Sequence, residues 1–391
     1  MKPMWMMMFT LLPLVAIIYI AWHVWVMLPF SAIWKLLIIL AGILCVGMLF
    51  MNFARKFDSY PLPVAQAAYE IGTSSFIVLL YLVMLFLVLD LGRLVHLVPK
   101  AFLFHNGYAA LAVFVFIFGL FLYGNLHYYN KVRVPLELKT SKPLPKTYKV
   151  VMASDLHLGY HNPRKELARW VDMFNAEKPD FILIAGDIID GSMRPLLEER
   201  MAEEFHRLQA PVYACLGNHE FYAGHPEAKQ FYKDAGIHLL IDEAAVVDSA
   251  IVIIGRDDRT NMRRKPVKEL VDSLQSSIFR STLPLGSSKN LQSSIFNLQY
   301  SIVLDHQPYN LDRAETAGID FQLSGHTHRG QVWPISWITD HIYECSWGSH
   351  QRGNTQFYIS SGLGIWGGKF RIGTQSEYVV ATLTSDRSLS D

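Results

Sequence analysis

The sequence is short of cysteine and of net charge, and each shortage argues against a class of protein. It has three cysteines, at Cys45, Cys215 and Cys345, and none lies in the CxxC spacing of a thiolate metal site. A disulfide framework and a zinc-thiolate site are therefore not expected, and a reducing compartment fits best. The formal net charge is only +1, and because no basic stripe accompanies it we expect no nucleic-acid partner.

Long apolar runs are confined to the first third of the chain, where they predict a membrane region. A bilayer core needs about 20 consecutive apolar residues per helix. Four segments qualify, at roughly 5–28, 32–53, 74–98 and 108–125. The first is longer than a signal-peptide core and lacks a small-residue cleavage pattern, so we interpret it as a retained helix. We therefore predict a transmembrane region of about four helices over residues 1–130, followed by a soluble domain over residues 131–391.

Lysine and arginine placement predicts which side of the membrane the soluble domain occupies. With four spans, one side has Lys2, Arg55, Lys56, Lys131, Arg133 and Lys139, whereas Lys35 and Lys100 fall near the other side. The basic excess marks the cytoplasmic side, so we expect an integral protein of the inner or cytoplasmic membrane with its soluble domain in the cytoplasm. One span more or fewer would reverse this side for the soluble domain.

Two charged residues, Asp90 and Arg93, interrupt the third apolar run. On a helix, a spacing of three residues places them on one face, where each could neutralise the other. An ion pathway or a lipid-headgroup site is one interpretation. We favour a structural ion pair in which Arg93 extends toward the membrane edge.

The rest of the chain alternates short apolar runs with amphipathic stretches. An alternation from Val132 to Leu138 that includes Pro135 predicts an edge strand. The other predicted strands are Lys149–Ala153, Phe181–Ala185, Val212–Leu216, Ile251–Ile254, Ser301–Leu304, Phe321–Leu323, Phe357–Ile359 and Glu377–Leu383. Helices are predicted at about 164–176, 194–208 and 226–235. Strands with helices between them indicate a layered α/β fold.

A six-residue repeat interrupts this pattern. The letters LQSSIF occur at Leu274–Phe279 and again at Leu291–Phe296. We favour a short duplicated insertion in a surface loop over a copied helix or strand. The repeat is assigned no chemistry.

Polar motifs directly follow five of the predicted strands. In chain order they are Ser154–His157 (SDLH), Gly186–Asp190 (GDIID), Gly217–Glu220 (GNHE), Asp305–Pro308 (DHQP) and Gly325–His328 (GHTH). In open α/β sheets, ligands gather outside the carboxyl ends of the strands, so these side chains are expected to meet. Their mixture of imidazole, carboxylate and amide donors suits divalent metals such as Mn, Fe, Zn or Co. Each motif alone is ordinary loop chemistry, but five in order after strands form a strong joint signal.

As a set, these motifs resemble those of the calcineurin-like metallophosphoesterase superfamily, whose pattern is DxH, GDxxD, GNH[DE], an isolated His and GHxH. The resemblance covers roughly residues 147–384 and is greatest to membrane-anchored bacterial phosphoesterases, in which SDLHLG, LDHQP and SSGLG segments recur. It implies a four-layer αββα sandwich with two divalent metal ions. By motif, one metal would be held by Asp155, His157 and His328 and the other by Asn218, His306 and His326, with Asp187 bridging them.

Other polar residues are given roles beside the metals. His219 follows Asn218 directly, so it is expected to face the same cavity and to stabilise developing charge or protonate the leaving group. Asp190 could orient His219 or a metal ligand, or it could cap the following helix. Arg371 could line the phosphate pocket. Four more histidines, His161, His225, His341 and His350, are expected at the surface, and a basic stretch from Arg256 to Arg264 is expected to be a solvated loop.

The resemblance implies a metal-dependent phosphoric ester hydrolase, and the apolar spans imply a membrane anchor. We expect hydrolysis of a phosphodiester or pyrophosphate bond, with a lipid-linked substrate favoured because the bilayer would concentrate it. One alternative is a phosphodiesterase on soluble substrates whose spans serve only as an anchor. A different class is a metal-binding membrane sensor or transporter without catalysis, supported only by Asp90 and Arg93. His219 argues against it, because a pure binding site needs no acid.

Overall fold

The computed structural model describes residues 2–53, 56–282 and 299–386. The chain divides into two compact units. The helical unit comprises Met1–Leu126 with Gly367–Phe370, and the sheet unit comprises His127–Trp366 with Arg371–Asp391. The two units are defined by which residues pack together. The boundary between a transmembrane region and a soluble domain at residues 130 and 131 stays a prediction.

The described part of the helical unit contains four helices, and three of them are long and apolar enough to cross a membrane. The helices are α1 (Lys2–Met27), α2 (Ala32–Phe53), α3 (Leu62–Leu94) and α4 (Gly107–Tyr129), with short 3-10 turns at Lys56–Ser59 and Lys100–Phe102. By length and composition the candidate spans are Ala32–Met51, Leu62–Leu94 and Gly107–Tyr129, whereas the apolar part of α1, Leu11–Met27, is shorter. Four apolar helices were predicted. Three reach spanning length among the described residues.

The intramembrane ion pair predicted between Asp90 and Arg93 is wrong. Asp90 Oδ2 instead accepts a hydrogen bond from the Tyr19 hydroxyl at 2.7 Å and lies 3.1 Å from His23 Nε2. The Arg93 guanidinium lies over the ring of Phe104, 5.6 Å from its centroid. Helical spacing puts Asp90 and Arg93 on one face of α3, but a neighbouring helix offers the carboxylate closer partners.

The sheet unit is built from twelve strands and eight helices within the described residues. The strands are β1 (Val132–Thr140), β2 (Tyr148–Ala153), β3 (Phe181–Ala185), β4 (Val212–Cys215), β5 (His238–Leu239), β6 (Glu243–Val247), β7 (Ile251–Gly255), β8 (Tyr300–Leu304), β9 (Phe321–Ser324), β10 (Gly348–Arg352), β11 (Thr355–Ile359) and β12 (Glu377–Ser385). The helices are α5 (Arg164–Ala176), α6 (Arg194–Glu198), α7 (Ala202–Phe205), α8 (Asn218–Ala223), α9 (His225–Asp234), α10 (Val267–Thr282), α11 (Asp312–Thr316) and α12 (Ile335–Ile342).

These strands form two six-stranded sheets. The first has the order β1-β12-β2-β3-β4-β5 and the second the order β10-β11-β9-β8-β7-β6. Strands β2, β3 and β4 run parallel to one another, and so do β7, β8 and β9. Strand β1 lies at the edge of the first sheet, as its alternating pattern with Pro135 predicts.

Alternate side chains of each strand enter different layers of the core. On β2, Val150 and Met152 lie in the core between the sheets, whereas Val151 packs with Trp170 of α5 on the outer face. The second sheet repeats the arrangement, because its outer face packs against α10 through Val252 and neighbouring residues. Since successive side chains of a strand point to opposite faces, both sheets are covered on both sides. The predicted αββα sandwich is confirmed.

The structure revises several predicted elements. The helix predicted at 194–208 is broken into α6 and α7, and strands β5, β6 and β10 were not predicted. The first LQSSIF copy begins at Leu274 within helix α10, so the loop prediction is wrong for that copy. The second copy, Leu291–Phe296, lies outside the described residues.

Candidate metal centre

The five polar motifs meet because their strands are parallel neighbours. SDLH, GDIID and GNHE follow β2, β3 and β4 in the first sheet, and DHQP and GHTH follow β8 and β9 in the second. Parallel strands place their carboxyl ends at one edge of each sheet. The two edges converge, because the Nε2 atom of His306 lies 3.0 Å from Asp187 Oδ2 across the two sheets.

Five of the candidate ligands have left-handed backbone. Asp155, His157, Asp187, His326 and His328 have φ of 54°, 46°, 52°, 71° and 47°, respectively. Non-glycine residues seldom adopt this region, and such strain concentrates at functional sites. It turns each side chain inward at a strand end, and backbone hydrogen bonds stabilise it. The amide of His157, for example, donates to the Asp187 carbonyl at 3.0 Å.

The first ligand group contains Asp155, His157 and His328. Its three ligand atoms lie within 4.8 Å of one another. Nε2 of His157 lies 3.0 Å from Nε2 of His328, and that atom lies 3.4 Å from Asp155 Oδ1. The backbone amide of His326 donates to both oxygens of Asp155 at 3.1 Å, and the Ser154 hydroxyl also donates to this carboxylate. The carboxylate is therefore held with one oxygen facing both rings.

The second ligand group contains Asp187, His306 and His326, which also lie within 4.8 Å of one another. The Nδ1 atom of His306 lies 2.7 Å from the Ala185 carbonyl oxygen. Because that carbonyl can only accept, Nδ1 carries a proton, and Nε2 is therefore the nitrogen that would bind a metal. Asp187 lies between the groups, since its Oδ2 is 3.0 Å from His306 Nε2 and 3.8 Å from His157 Nε2.

Buried carboxylates make the centre attractive to cations. Burial raises the pKa of Asp155, and the nearby charge of Asp187 raises it further. Burial opposes ionisation of Asp187 as well, but His306 and His219 outweigh it and hold its pKa well below the usual range. Burial lowers the pKa of His326 to about 4, so this ring is neutral at pH 7 and offers a lone pair.

The side-chain oxygen of Asn218 shows whether the centre is suited to metal ions. Its Oδ1 is buried and has no hydrogen-bond donor among the residues that the structure describes. A buried amide oxygen without a partner costs free energy, about 1–3 kcal/mol. A bound cation would satisfy it and would also be held by Nε2 of His306. The donor set of imidazoles, carboxylates and one amide therefore fits two divalent ions.

His219 and Asp190 form a pair beside these ligands. Nδ1 of His219 lies 3.3 Å from Asp190 Oδ1 and 3.1 Å from the Asp190 carbonyl oxygen. Asp190 Oδ1 is also 3.3 Å from Nδ1 of His157. Burial lowers the pKa of His219, but the carboxylates of Asp187 and Asp190 outweigh it and raise this pKa to about 9. Asp190 thus contacts both a candidate ligand and the candidate acid.

Glu220, the last residue of the GNHE motif, is a positioning residue to which the sequence alone assigns no role. Its fully buried carboxylate accepts backbone hydrogen bonds from Gly217 at 2.7 Å, Ile189 at 3.0 Å and Asp187 at 3.2 Å. The Tyr232 hydroxyl donates to it at 3.0 Å. Glu220 therefore joins the GDIID and GNHE loops. The acidic residue at the fourth position of GNHE is the feature of the sequence that could have identified this role.

Arg371 is fully buried, and its guanidinium donates to backbone carbonyls. Nη1 donates to the His328 carbonyl at 2.8 Å, and Nη2 donates to those of Ser361 at 2.5 Å and Gly364 at 3.2 Å. These bonds join the GHTH loop to the loop after β11. The predicted contact of Arg371 with substrate stays a prediction.

Two further polar clusters border the centre. Arg256 and Arg264 bind Asp305 at 2.5 Å and 2.8 Å, and Arg256 is buried, so the prediction of a solvated loop is wrong for it. His161 is buried next to Asp190, whose Oδ2 lies 4.0 Å from its Nδ1. The surface prediction is wrong for His161, because sequence spacing does not show that its loop folds back onto the strand ends.

The chain is similar to several known proteins. Residues 148–330 match the family model of the calcineurin-like phosphoesterases. The chain is 31% identical over 254 residues to an uncharacterised metallophosphoesterase of Aquifex aeolicus, and the match covers 63% of this chain and 89% of that protein. It is 30% identical over 243 residues to an uncharacterised metallophosphoesterase of Campylobacter jejuni, covering 61% of this chain and 60% of that protein.

Similarity extends to animal membrane proteins and to a solved structure. A transmembrane protein with a metallophosphoesterase domain from Danio rerio is 27% identical over 245 residues, which is 59% of this chain and 51% of that protein. The crystal structure of a dimetal phosphatase from Danio rerio aligns with a TM-score of 0.36 and 14% identity, covering 55% of this chain and 87% of that chain.

Proposed function

Because the chain belongs to the calcineurin-like metallophosphoesterase family, we propose that it is a membrane-anchored hydrolase of phosphodiester or pyrophosphate bonds that uses two divalent metal ions. The observation that supports this most is the position of Asp187 between the two ligand groups, with its Oδ2 3.0 Å from Nε2 of His306 and 3.8 Å from Nε2 of His157. Asn218 and His219 lie in the adjoining GNHE motif. Membership of the family implies a metal-dependent phosphoester hydrolase. The type of bond that it cleaves is our proposal.

The residues divide into two metal sites. One metal would be held by Asp155, His157 and His328 and the other by Asn218, His306 and His326, with Asp187 shared. Bound divalent ions would supply Lewis-acid activation of water and would neutralise charge on the phosphoryl group. Manganese, iron, zinc and cobalt all suit this donor set.

His219 is proposed as the general acid. The carboxylates of Asp187 and Asp190 favour its protonated form, so the ring can donate a proton to the leaving oxygen. The contact of Nδ1 with the Asp190 backbone carbonyl leaves Nε2 as the atom available for that transfer. Asp190 is proposed as a positioning residue, because its carboxylate contacts both His219 and His157.

The anchor supports a substrate at the membrane. Among the residues that the structure describes, three helices have the length and composition to cross a bilayer, so a phosphoester linked to a lipid would be concentrated near the metal centre. We propose such a lipid-linked substrate, with the sheet unit on the cytoplasmic side of the inner or cytoplasmic membrane. Counting α2, α3 and α4 alone as spans keeps this orientation, because the side of the sheet unit then has Arg55, Lys56, Lys131, Arg133 and Lys139, whereas the other side has Lys35 and Lys100.

Turnover of a generic diester tests the proposed chemistry. Full-length protein with Mn²⁺ is expected to hydrolyse bis(4-nitrophenyl) phosphate, and Asp187→Ala or His326→Ala is expected to abolish the reaction. A lipid-linked diester in mixed micelles should then be hydrolysed with a higher kcat/KM than the soluble one. Equal values would favour soluble substrates, and absence of metal-dependent turnover on either ester would contradict the proposed function.

A further inference from the structure

Helix α12 (Ile335–Ile342) has its polarity reversed relative to a normal surface helix. Its buried side chain is that of Ser336, which is 5% exposed, whereas Trp337 is 65% and Ile338 56% exposed. Ile342 is 60% exposed, and Trp333, just before the helix, is 40% exposed. A surface helix of a soluble protein turns its apolar side chains inward. We call Trp333, Ile335, Trp337, Ile338 and Ile342 the α12 apolar face.

Such a face indicates an interaction site. A contiguous exposed apolar patch on a soluble protein is rare and marks contact with a protein or a membrane. Tryptophan is enriched where an apolar surface meets water, as at the interface of a bilayer. A helix with isoleucine and tryptophan on one side can lie in that interface, with the apolar side chains in the acyl boundary.

The α12 apolar face borders the metal centre. The helix begins seven residues after His328, the last ligand of the GHTH motif, and is followed directly by Tyr343. The ring of Tyr343 lies edge-on to that of His326, with 6.5 Å between centroids. Its hydroxyl is 2.9 Å from that of Tyr309, next to the DHQP motif. Both ends of the helix are thus tied to loops that carry candidate ligands.

The short linker between α4 and β1 indicates which partner the α12 apolar face can reach. Only Asn130 and Lys131 separate the end of α4 from the start of β1. Two residues extend over about 7 Å at most, and α4 is one of the helices that can cross a membrane. A bilayer surface is therefore always within reach of the sheet unit, whereas a protein partner would have to be recruited.

We propose that the α12 apolar face lies in the interfacial region of the bilayer and brings the metal centre to phosphoesters whose hydrocarbon part stays in the membrane. The substrate class named here rests on the proposed function, but the contact with lipid does not. Trp337 and Ile338 insert among the acyl chains, and the GHTH loop at the start of the helix faces the headgroup region.

An environment-sensitive label tests the contact in the full-length protein. Trp337→Cys, labelled with the fluorophore NBD and reconstituted in phosphatidylcholine vesicles, should emit at shorter wavelength than in water. Lipids with a spin label near the headgroup should reduce its emission by about twofold. The matched control is Leu197→Cys on α6, a residue 64% exposed in the same unit, and its label should stay aqueous. The labelled unsubstituted protein gives the background from the native cysteines.

The outcomes separate lipid from other occupants. Quenching by spin-labelled lipid at Trp337 and not at Leu197 supports the proposal. An aqueous label at Trp337, or one shielded only as protein concentration rises, overturns it, because the face is then open or covered by a second copy.

Kinetics distinguish this inference from the proposed function. In Trp337→Ser/Ile338→Ser, the ratio of kcat/KM for a lipid-anchored diester to that for bis(4-nitrophenyl) phosphate should fall about tenfold. The same ratio in Leu197→Ser should match the unsubstituted protein. If the ratio is unaffected in the double variant, the inference is overturned even though turnover persists. If no ester is hydrolysed, the proposed function fails while the label still decides the lipid contact.

Discussion

Nδ1 of His219 lies 3.3 Å from Oδ1 of Asp190, and the same carboxylate oxygen lies 3.3 Å from Nδ1 of His157. One buried carboxylate thus orients a candidate metal ligand and the candidate acid together. A carboxylate behind a histidine fixes its tautomer and favours its protonated form. If His219 is the proposed acid, this pair is what separates an enzyme from a site that only binds metal.

His219→Ala is predicted to remove catalysis without removing the metals. Turnover of bis(4-nitrophenyl) phosphate should fall by about 10²–10⁴, the usual contribution of a general acid. Metal content measured by mass spectrometry should stay close to that of the unsubstituted protein, because neither of the two ligand groups described above includes His219. Full turnover in this variant would show that His219 is not the acid, and loss of metal would show that it is a ligand.

Glu220→Ala is predicted to destabilise the sheet unit. The change leaves the buried amides of Asp187, Ile189 and Gly217 without their acceptor. Each unsatisfied buried donor costs about 1–3 kcal/mol, so the free energy of unfolding should fall by roughly 3 kcal/mol or more. Tyr232→Phe is the matched control, since it removes one donor to Glu220 and should cost about 1 kcal/mol. Similar melting temperatures for both variants would contradict this role.

Arg371→Lys tests whether this residue positions the loops or binds substrate. An ammonium cannot reproduce the planar fork that donates to the carbonyls of His328, Ser361 and Gly364. If Arg371 is a positioning residue, the variant should melt at a lower temperature and bind Mn²⁺ more weakly. The opposite pattern, a raised KM with unchanged melting and metal affinity, would support the predicted substrate contact.

Glu177 predicts how stability depends on pH. The Arg133 guanidinium at 2.7 Å and the Lys149 ammonium at 2.9 Å lower its pKa from 4.5 to about 2. A carboxyl whose pKa is lower in the folded state than in the unfolded state stabilises the fold at pH values above its unfolded pKa. This stabilisation is lost as the pH falls through the pKa of the folded state. Partly hydrated charges limit the effect to roughly 1 kcal/mol. The melting-temperature difference between the unsubstituted protein and Glu177→Gln should therefore shrink as pH falls from about 4.5 to 2. A melting-temperature difference that stays constant over this pH range would contradict the stabilising role of Glu177.

The strands that position the centre could be predicted because each is a short, mainly apolar run that is almost entirely buried. Val150 to Ala153 and Phe181 to Ala185, for instance, are hydrophobic at nearly every position and end at once in polar motifs. Strands β5 and β10 lack such a run, and in β6 it is limited to the two alanines and two valines of Ala244–Val247. Strand β6 is only partly buried, and β10 alternates partly buried and exposed residues at a sheet edge. Their pairing depends on neighbours distant in sequence.

The candidate ligands could be named from motif and strand position, whereas their supporting residues could not. Arg371, Glu220 and Arg256 act through long-range contacts with backbone or with a buried carboxylate. A single sequence shows which residues follow strands but not which loops meet. Asp90 shows the same limit, since its partners Tyr19 and His23 are about seventy residues away.

Metal reconstitution of one sample tests the central claim most directly. Full-length protein is stripped with EDTA, and hydrolysis of bis(4-nitrophenyl) phosphate is followed as Mn²⁺ is added. Activity should be absent after stripping and should saturate at two ions per chain, while Asp187→Ala, which removes the shared ligand, should stay inactive throughout. Turnover that survives chelation, or two bound ions without turnover on any phosphoester, would contradict a two-metal phosphoesterase.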